Sequence, residues 1–285
     1  MTLSRPEIAA KVAEAVITAS TTFRPDQKEA YQRAVLCEEK PEARWVLETI
    51  LENARVAEEK RLPLCDDTGI PHLFLEVGDE AVLPPGFFAA VQEGVREGLR
   101  RLPGRPMAVL GEGLQRIDQS GGLSGDSGDV LPAPVQIQNI PGKKVRLTVL
   151  LLGGGPEIRG KTQRVFHHHS GEVVLAEMVR WAKEGVARLG CLPGVLAFGI
   201  GRTNLEAAVL AVEALKDGDF TVQSALEQQI TRAVNESGIG PLGLGGSATV
   251  LATFLKIGPQ RASGVRIVSL RAGCCFDPRR ASVVF

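Results

Sequence analysis

The chain has 285 residues, of which 44% are hydrophobic, and its 33 Lys and Arg balance its 33 Asp and Glu, giving a formal net charge of zero. This apolar content excludes a disordered chain, and the balanced charge excludes an extended nucleic-acid surface, because neutralising phosphates requires clustered cations. No apolar run approaches the roughly 20 residues that span a bilayer, and the N-terminal segment has no apolar signal core. We therefore expect a cytoplasmic protein without a membrane partner.

The first 61 residues are predicted to be mostly helical. Prolines in the first turn and runs rich in Ala, Glu, Lys and Leu indicate helices over about 6–20, 25–39 and 41–61. The helical pattern breaks at 62–71, where Cys65, Asp66 and Asp67 lie between two prolines and a glycine, before a short strand over 72–77. Such rigidly flanked loops often carry catalytic residues.

A helix over 85–102 and a glycine-rich loop over 111–129 come next. Two strands are predicted over 133–140 and 145–152, and the turn 141–144 predicts that they pair as a hairpin. The second strand leads directly into Gly153, Gly154 and Gly155. Consecutive glycines expose backbone N–H groups that can bind an anion, although a flexible turn explains the run equally well.

The last part alternates helices with strands. Helices are predicted over 171–189, 204–215 and 221–235. Strands are predicted over about 249–257 and 264–270, and an apolar strand that follows 191–194 is predicted to end at 201. A glycine-rich segment over 238–247 lies among them. The sequence therefore predicts an α+β fold over a single domain, 1–285, in which a helical part (1–61) and a mixed α/β part (62–285) form one lobe.

Five cysteines are scattered along the chain, and three regions share one context. Cys65, Cys191 and the Cys274–Cys275 pair each follow or precede apolar residues in a Pro- or Gly-rich turn. Any single cysteine is explained most simply as a small buried hydrophobe. No Cys-x-x-Cys pair is present, so a shared metal site has to be assembled by the fold. Three thiolates leave one coordination position open, as a Lewis-acid catalyst requires.

Three other patterns have weaker functional interpretations. The segment 199–204 follows a strand and precedes a helix, but it lacks the third glycine of a dinucleotide fingerprint, which disfavours nucleotide binding. Histidines 167–169 could bind a metal, but a solvated helix start is the simpler explanation. Asp66 and Asp67 are explained either as turn-capping residues or, beside a metal-bound Cys65, as groups that move protons.

Five motifs in this order resemble the class I fumarate hydratase and L-tartrate dehydratase family, from about Val46 to the C-terminus. They are Leu-Cys-Asp-Asp-Thr-Gly at 64–69, the triglycine at 153–155, Cys-Leu-Pro at 191–193, Gly-Ile-Gly-x-x-Gly-Leu-Gly-Gly at 238–246, and Cys-x-x-x-Arg-Arg-Ala at 275–281. The match is to the α subunit of two-subunit members. Members of this family bind a [4Fe-4S] cluster through three cysteines, so the resemblance implies Cys65, Cys191 and Cys275 as ligands. Cys275 is preferred to Cys274 because of its spacing to the Arg-Arg-Ala motif.

The resemblance also implies the catalytic groups. Asp67 takes the position of an aspartate that protonates the leaving hydroxyl of a 2-hydroxy dicarboxylate, and Arg105 that of an arginine on a substrate carboxylate. Without the family, Arg105 would simply compensate a helix dipole. The amides of Gly153, Gly154 and Gly155 are expected to bind the same substrate. The open iron would act as Lewis acid in reversible hydration or dehydration.

The chain departs from the family pattern at two places. Asp66 replaces a glutamine, so we expect it to contact the substrate and to alter specificity, and residues 156–159 (Pro-Glu-Ile-Arg) replace Ser-x-Asn. The chain also stops ten residues after Cys275, so the resemblance implies a β subunit that supplies the base, in an αβ hetero-oligomer. The alternatives are an inactive cluster- or metal-binding regulatory paralogue and a metal-free interaction protein.

Overall fold

The computed structural model describes residues 3–105 and 107–285, so Met1, Thr2 and Pro106 of the predicted single domain lie outside the described residues. The chain forms an α+β fold, as predicted, and it divides into two compact units. Unit 1 comprises 1–22, 54–153 and 279–285, and unit 2 comprises 23–53 and 154–278. In the described part of the chain, no helix is long and apolar enough to cross a membrane.

Unit 1 is a four-stranded sheet covered by helices. Its strands are β1 (Ile70–Gly78), β2 (Gln136–Ile140), β3 (Val145–Leu152) and β8 (Arg279–Val284), in the order β2-β1-β3-β8. Helices α1 (Arg5–Thr21) and α4 (Phe87–Arg101) pack against each other, and α1 also contacts β3 and β8. Apolar side chains from both helices and the sheet form one core. The short helix α5 (Leu114–Asp118) lies in the glycine-rich loop.

The predicted hairpin of β2 with β3 is wrong. Both strands pair with β1 instead, β2 in parallel and β3 antiparallel, so β1 lies between them. The turn at 141–144 reverses the chain, as its sequence indicates, but strand pairing depends on contacts remote in sequence. The N–H of Gly78, at the end of β1, donates to Lys144 O in this turn at 2.8 Å.

Unit 2 contains a second four-stranded sheet with helices on both faces. Its strands are β4 (Lys161–Phe166), β5 (Gly194–Gly201), β6 (Val250–Ile257) and β7 (Val265–Gly273), in the order β4-β7-β5-β6. Only β5 and β6 pair in parallel among these described strands. The helices of this unit are α2 (Pro25–Cys37), α6 (Gly154–Glu157), α7 (Gly171–Val186), α8 (Asn204–Asp217) and α9 (Ala225–Asn235). Helix α3 (Pro41–Lys60) continues from unit 2 into unit 1.

Strand β5 is buried along its whole length, which explains its uninterrupted apolar sequence. Leu196, Phe198 and Ile200 join the core formed with α7 and α9. Gly199, which points to the other face, approaches α8 so closely that an added Cβ would lie 2.1 Å from Ala207 O. The glycine is therefore required for strand–helix packing, which accounts for the segment 199–204 without a nucleotide.

Candidate active site

The loop between α3 and β1 in unit 1 carries the first group of predicted site residues. Leu64 N donates to Ser20 O at 2.9 Å, which anchors the start of the loop. Asp67 Oδ1 accepts a hydrogen bond from Gly69 N at 3.1 Å, the geometry of an aspartate-capped turn. Cys65 is half-buried, and its Sγ lies 3.6 Å from Asp66 Oδ1. The turn thus orients two successive carboxylates beside a thiol.

Arg105 faces both carboxylates of this loop. Its Nη1 lies 3.6 Å from Asp66 Oδ2 and its Nη2 lies 3.9 Å from Asp67 Oδ2. The side chain of Asp66 is 78% exposed, whereas that of Asp67 is 20% exposed. Ion pairs this long and exposed add little to stability. The arrangement instead leaves a guanidinium positioned to bind an incoming carboxylate, next to a shielded acid.

Arg279 supports the same loop from the first residue of β8, a role that the sequence analysis did not assign. Its Nη1 donates to Asp67 O at 2.6 Å and to Thr68 O at 3.2 Å, and the residue is 2% exposed. The signal for this residue in the sequence is the Cys-x-x-x-Arg spacing of the last motif, 275–281. A buried arginine therefore fixes the backbone on which Asp67 is placed.

The predicted triglycine site divides at the boundary of the two units. Gly153 is buried in unit 1, where an added Cβ would lie 2.9 Å from Asp67 Oδ2, so a larger residue would displace this carboxylate. Gly154 and Gly155 belong to unit 2 and form the first turn of α6. The run is therefore partly helical and not a simple flexible turn.

The residues after the triglycine, which depart from the family pattern, stabilise α6 within unit 2. Glu157 forms an ion pair with Arg271 of β7. Arg159 Nη1 donates to Gly155 O at 2.9 Å and Arg159 Nε donates to Arg188 O at 2.5 Å. These contacts give Glu157 and Arg159 structural roles that hold the glycines in place.

Two of the predicted ligand cysteines meet at one end of the sheet of unit 2. Cys191 precedes β5 and Cys275 follows β7, and the two strands are antiparallel neighbours. Cys275 N donates to Cys191 O at 2.9 Å, which joins the two turns. Cys191 is exposed and Cys275 is buried. Strands far apart in sequence thus bring two thiol-bearing residues side by side.

The Cys275 turn is braced from inside unit 2. Asp277 Oδ2 accepts from Cys274 N at 2.8 Å, and Tyr31 Oη donates to Cys275 O. Burial raises the pKa of Tyr31 well above its ordinary value of 10.0, and the nearby thiols of Cys275 and Cys274 and the carboxyl of Asp277 act in the same direction. The phenol therefore stays protonated and remains a hydrogen-bond donor.

The glycine-rich loop at 238–247 lies against the Cys191 turn. Leu242 N donates to Leu192 O at 3.2 Å, and Leu242 has a left-handed φ of 50°, which is strained for a residue with a side chain. Glu38 holds the end of this loop by accepting from Ser247 N at 2.8 Å and from Ser247 Oγ at 3.0 Å. Burial acts to raise the pKa of Glu38, but hydrogen bonds from Lys40 N and Ser247 outweigh it, so the pKa lies below its usual 4.5.

A separate cavity of about 620 Å³ lies in unit 2, at the end of its sheet opposite to the Cys191 and Cys275 turns. Its lining is both polar and apolar, with most of the apolar residues coming from α7 and the ends of β5 and β6, and the described lining includes none of the predicted site residues. His167 and His169 are on its rim, where His167 Nε2 lies 2.8 Å from Ser263 O and His169 N donates to His167 Nδ1 at 3.0 Å. These two histidines therefore organise the turn before α7.

The donor set fits a cluster by its chemistry. Three thiols on turns match the ligand number of a cluster with one open iron, and the hydrogen bond between the Cys191 and Cys275 turns brings two of the three together within unit 2. Cys65 belongs to unit 1. Within 3–105 and 107–285, no three His, Cys, Asp or Glu residues form a group that could hold a single metal ion.

Comparisons with known proteins agree with the motif analysis. A family model described as fumarate hydratase (fumerase) matches residues 9–284. A Methanocaldococcus jannaschii protein provisionally named L(+)-tartrate dehydratase subunit alpha is 27% identical over 263 residues, covering 88% of this chain and 87% of the relative. The L(+)-tartrate dehydratase subunit alpha of Escherichia coli O157:H7 is 24% identical over 249 residues, covering 84% of this chain and 78% of the relative.

Proposed function

This chain belongs to the fumarate hydratase family, and from that premise we propose that it is the α subunit of a [4Fe-4S]-dependent hydro-lyase. Its substrate would be a small 2-hydroxy dicarboxylate such as malate, tartrate or a related acid, dehydrated reversibly to the unsaturated or keto product. The names of its relatives, tartrate dehydratase α subunits, support the hydro-lyase class.

The observation that carries the proposal is the juxtaposition of Arg105, which follows α4, with Asp67 on the loop that holds Cys65. Elimination of water needs an acid for the leaving hydroxyl and a cation for the substrate carboxylate. In this chain the two groups lie 3.9 Å apart, with the carboxylate shielded and the guanidinium accessible. An interaction protein without catalytic function has no need of this pairing beside a thiol.

Cys65, Cys191 and Cys275 would hold the cluster, which supplies a Lewis acid that makes hydroxide a better leaving group. Asp67 donates its proton to the departing hydroxyl as the carbon–oxygen bond breaks, which releases water. Arg105 binds a substrate carboxylate through its planar guanidinium. The backbone N–H groups of the 153–155 glycines bind the same anion.

Asp66 is the residue we expect to set substrate preference. Its side chain is largely exposed and lies 3.6 Å from Arg105 Nη1, so it competes with a substrate carboxylate for that cation. A substrate hydroxyl can donate to Asp66, whereas an unsubstituted carbon cannot. Asp66→Gln should therefore change the relative turnover of malate, tartrate and methylated analogues, and an unchanged ratio would reject this role.

A partner β subunit is the second part of the proposal. The base that removes the carbon-bound proton is expected from that subunit, so activity requires an αβ hetero-oligomer. The assay is anaerobic reconstitution of this chain with iron and sulfide, alone and with the β subunit, followed by hydration and dehydration of C4 to C6 dicarboxylates. We expect turnover only in the mixture, lost in Asp67→Asn and in Cys65→Ser. Absence of turnover with every dicarboxylate, despite a bound cluster, would favour the regulatory paralogue.

A further inference from the structure

We infer that Gln27 and Tyr31 of helix α2 are positioning residues for the Cys275 cluster ligand. This inference rests on the proposed function, because it concerns how the chain presents one of the three proposed thiolates. Neither residue lies in the motifs that identify the family.

The two side chains donate to three successive carbonyls of the Cys275 turn. Tyr31 Oη donates to Cys275 O, and Gln27 Nε2 donates to Phe276 O and to Asp277 O, each at 3.2 Å. All of these residues belong to unit 2. One helix thus donates hydrogen bonds to all three of these backbone carbonyls.

The geometry of α2 makes this arrangement specific. Gln27 and Tyr31 are four residues apart, so they lie on one face of the helix. They are 1% and 0% exposed, although most residues of α2 are accessible. The Phe23 ring stacks on the Tyr31 ring at a centroid distance of 5.4 Å and contacts the Phe276 ring at 6.1 Å. The polar contacts are therefore enclosed by aromatic rings and shielded from water.

Both polar backbone groups of Cys275 are fixed as a result. Its N–H donates to Cys191 O at 2.9 Å and its carbonyl accepts from Tyr31. Holding both sides of the residue limits its φ and ψ, which sets the direction of its Cα–Cβ bond. Outer contacts of this kind orient metal ligands, and their loss typically lowers metal affinity or activity about 10–100-fold.

The test compares Tyr31→Phe and Gln27→Met with a matched control, Thr253→Val. Thr253 is fully buried in the same unit, and its Oγ1 accepts from Thr231 Oγ1 at 2.9 Å, away from both cysteine turns. Each variant of the full chain is reconstituted anaerobically and mixed with a ferrous chelator. The iron-release rate is followed by absorbance, the signal of the dithionite-reduced cluster by electron paramagnetic resonance, and the melting temperature of the cluster-free chain by circular dichroism.

We expect Tyr31→Phe and Gln27→Met to release iron about 10-fold faster or more and to alter the resonance signal. Thr253→Val should lower the melting temperature without either effect. If both α2 variants fold and match the wild type in iron release and signal, the inference is wrong and the proposed function stands. If Thr253→Val accelerates iron release equally, the contacts are only structural and the inference is again wrong. If the wild type itself binds no cluster, the proposed function fails, and the positioning role fails with it.

Discussion

Replacing Arg279 by methionine tests how the loop of unit 1 is held. The substitution keeps an unbranched side chain but removes the two hydrogen bonds that Arg279 Nη1 donates, to Asp67 O at 2.6 Å and to Thr68 O at 3.2 Å. Hydrogen bonds from a charged donor contribute about 1.5–3 kcal/mol each. Because the variant also avoids the cost of burying a guanidinium, we expect a net loss of about 2–4 kcal/mol.

The assay is urea unfolding of the cluster-free chain, with Arg116→Met as the control. Arg116 lies on α5 in the same unit and is exposed, so its replacement should change stability by less than about 0.5 kcal/mol. Arg279→Lys keeps the charge but not the planar guanidinium, so its loss of stability should lie between those of Arg279→Met and Arg116→Met. Equal unfolding midpoints for the two methionine variants would refute the supporting role of Arg279.

Three further predictions concern the proposed general acid, Asp67, and the glycine-rich loop at 238–247. Asp67→Asn should lower turnover by about 10²–10⁴-fold while leaving the melting temperature nearly unchanged, because asparagine can still cap the turn; retained turnover would remove Asp67 from the mechanism. Since the folded-state pKa of Glu38 is depressed, its stabilisation is present above pH 4.5 and is lost as the pH falls through the folded value. The melting temperature of Glu38→Gln should therefore lie well below that of the wild type at pH 7 and approach it in acid. The melting temperature of the control Glu39→Gln should match that of the wild type at both pH values. In urea unfolding, Gly240→Ala should lower the free energy of unfolding by about 1–3 kcal/mol more than Gly238→Ala does. Both glycines have a positive φ, but only at 240 would the added Cβ lie 1.8 Å from a backbone oxygen. Equal losses would show that the loop relaxes freely.

The sequence predicted the elements of the fold better than their partners. Helical periodicity and terminal prolines located both ends of α1, α2 and α3 to within about two residues. The apolar run of β5 was also identified as a strand. The pairing of β2 and β3 with β1 was missed, because adjacent strands joined by a turn give no local signal that another strand lies between them. Strands β4 and β8 were also missed.

The candidate site shows the same division. Motif resemblance indicated Asp67 and Arg105, and within unit 1 the structure brings Arg105, after α4, to 3.9 Å from Asp67 on the loop between α3 and β1. Arg279 and Tyr31 were not identified, because their roles depend on contacts with backbone carbonyls more than 200 residues away in sequence. A buried polar residue on a helix or strand gives no indication of its distant partner.

The central claim, that three cysteines of this chain hold a [4Fe-4S] cluster, is tested most directly by iron and sulfide analysis after anaerobic purification. We expect about four iron and four sulfide per chain in the wild type and in Cys37→Ser, which replaces an exposed cysteine outside the motifs. We expect most of the iron and sulfide to be lost in Cys65→Ser, Cys191→Ser and Cys275→Ser. A wild-type chain without iron and sulfide, or Cys65→Ser with undiminished content, would contradict the central claim.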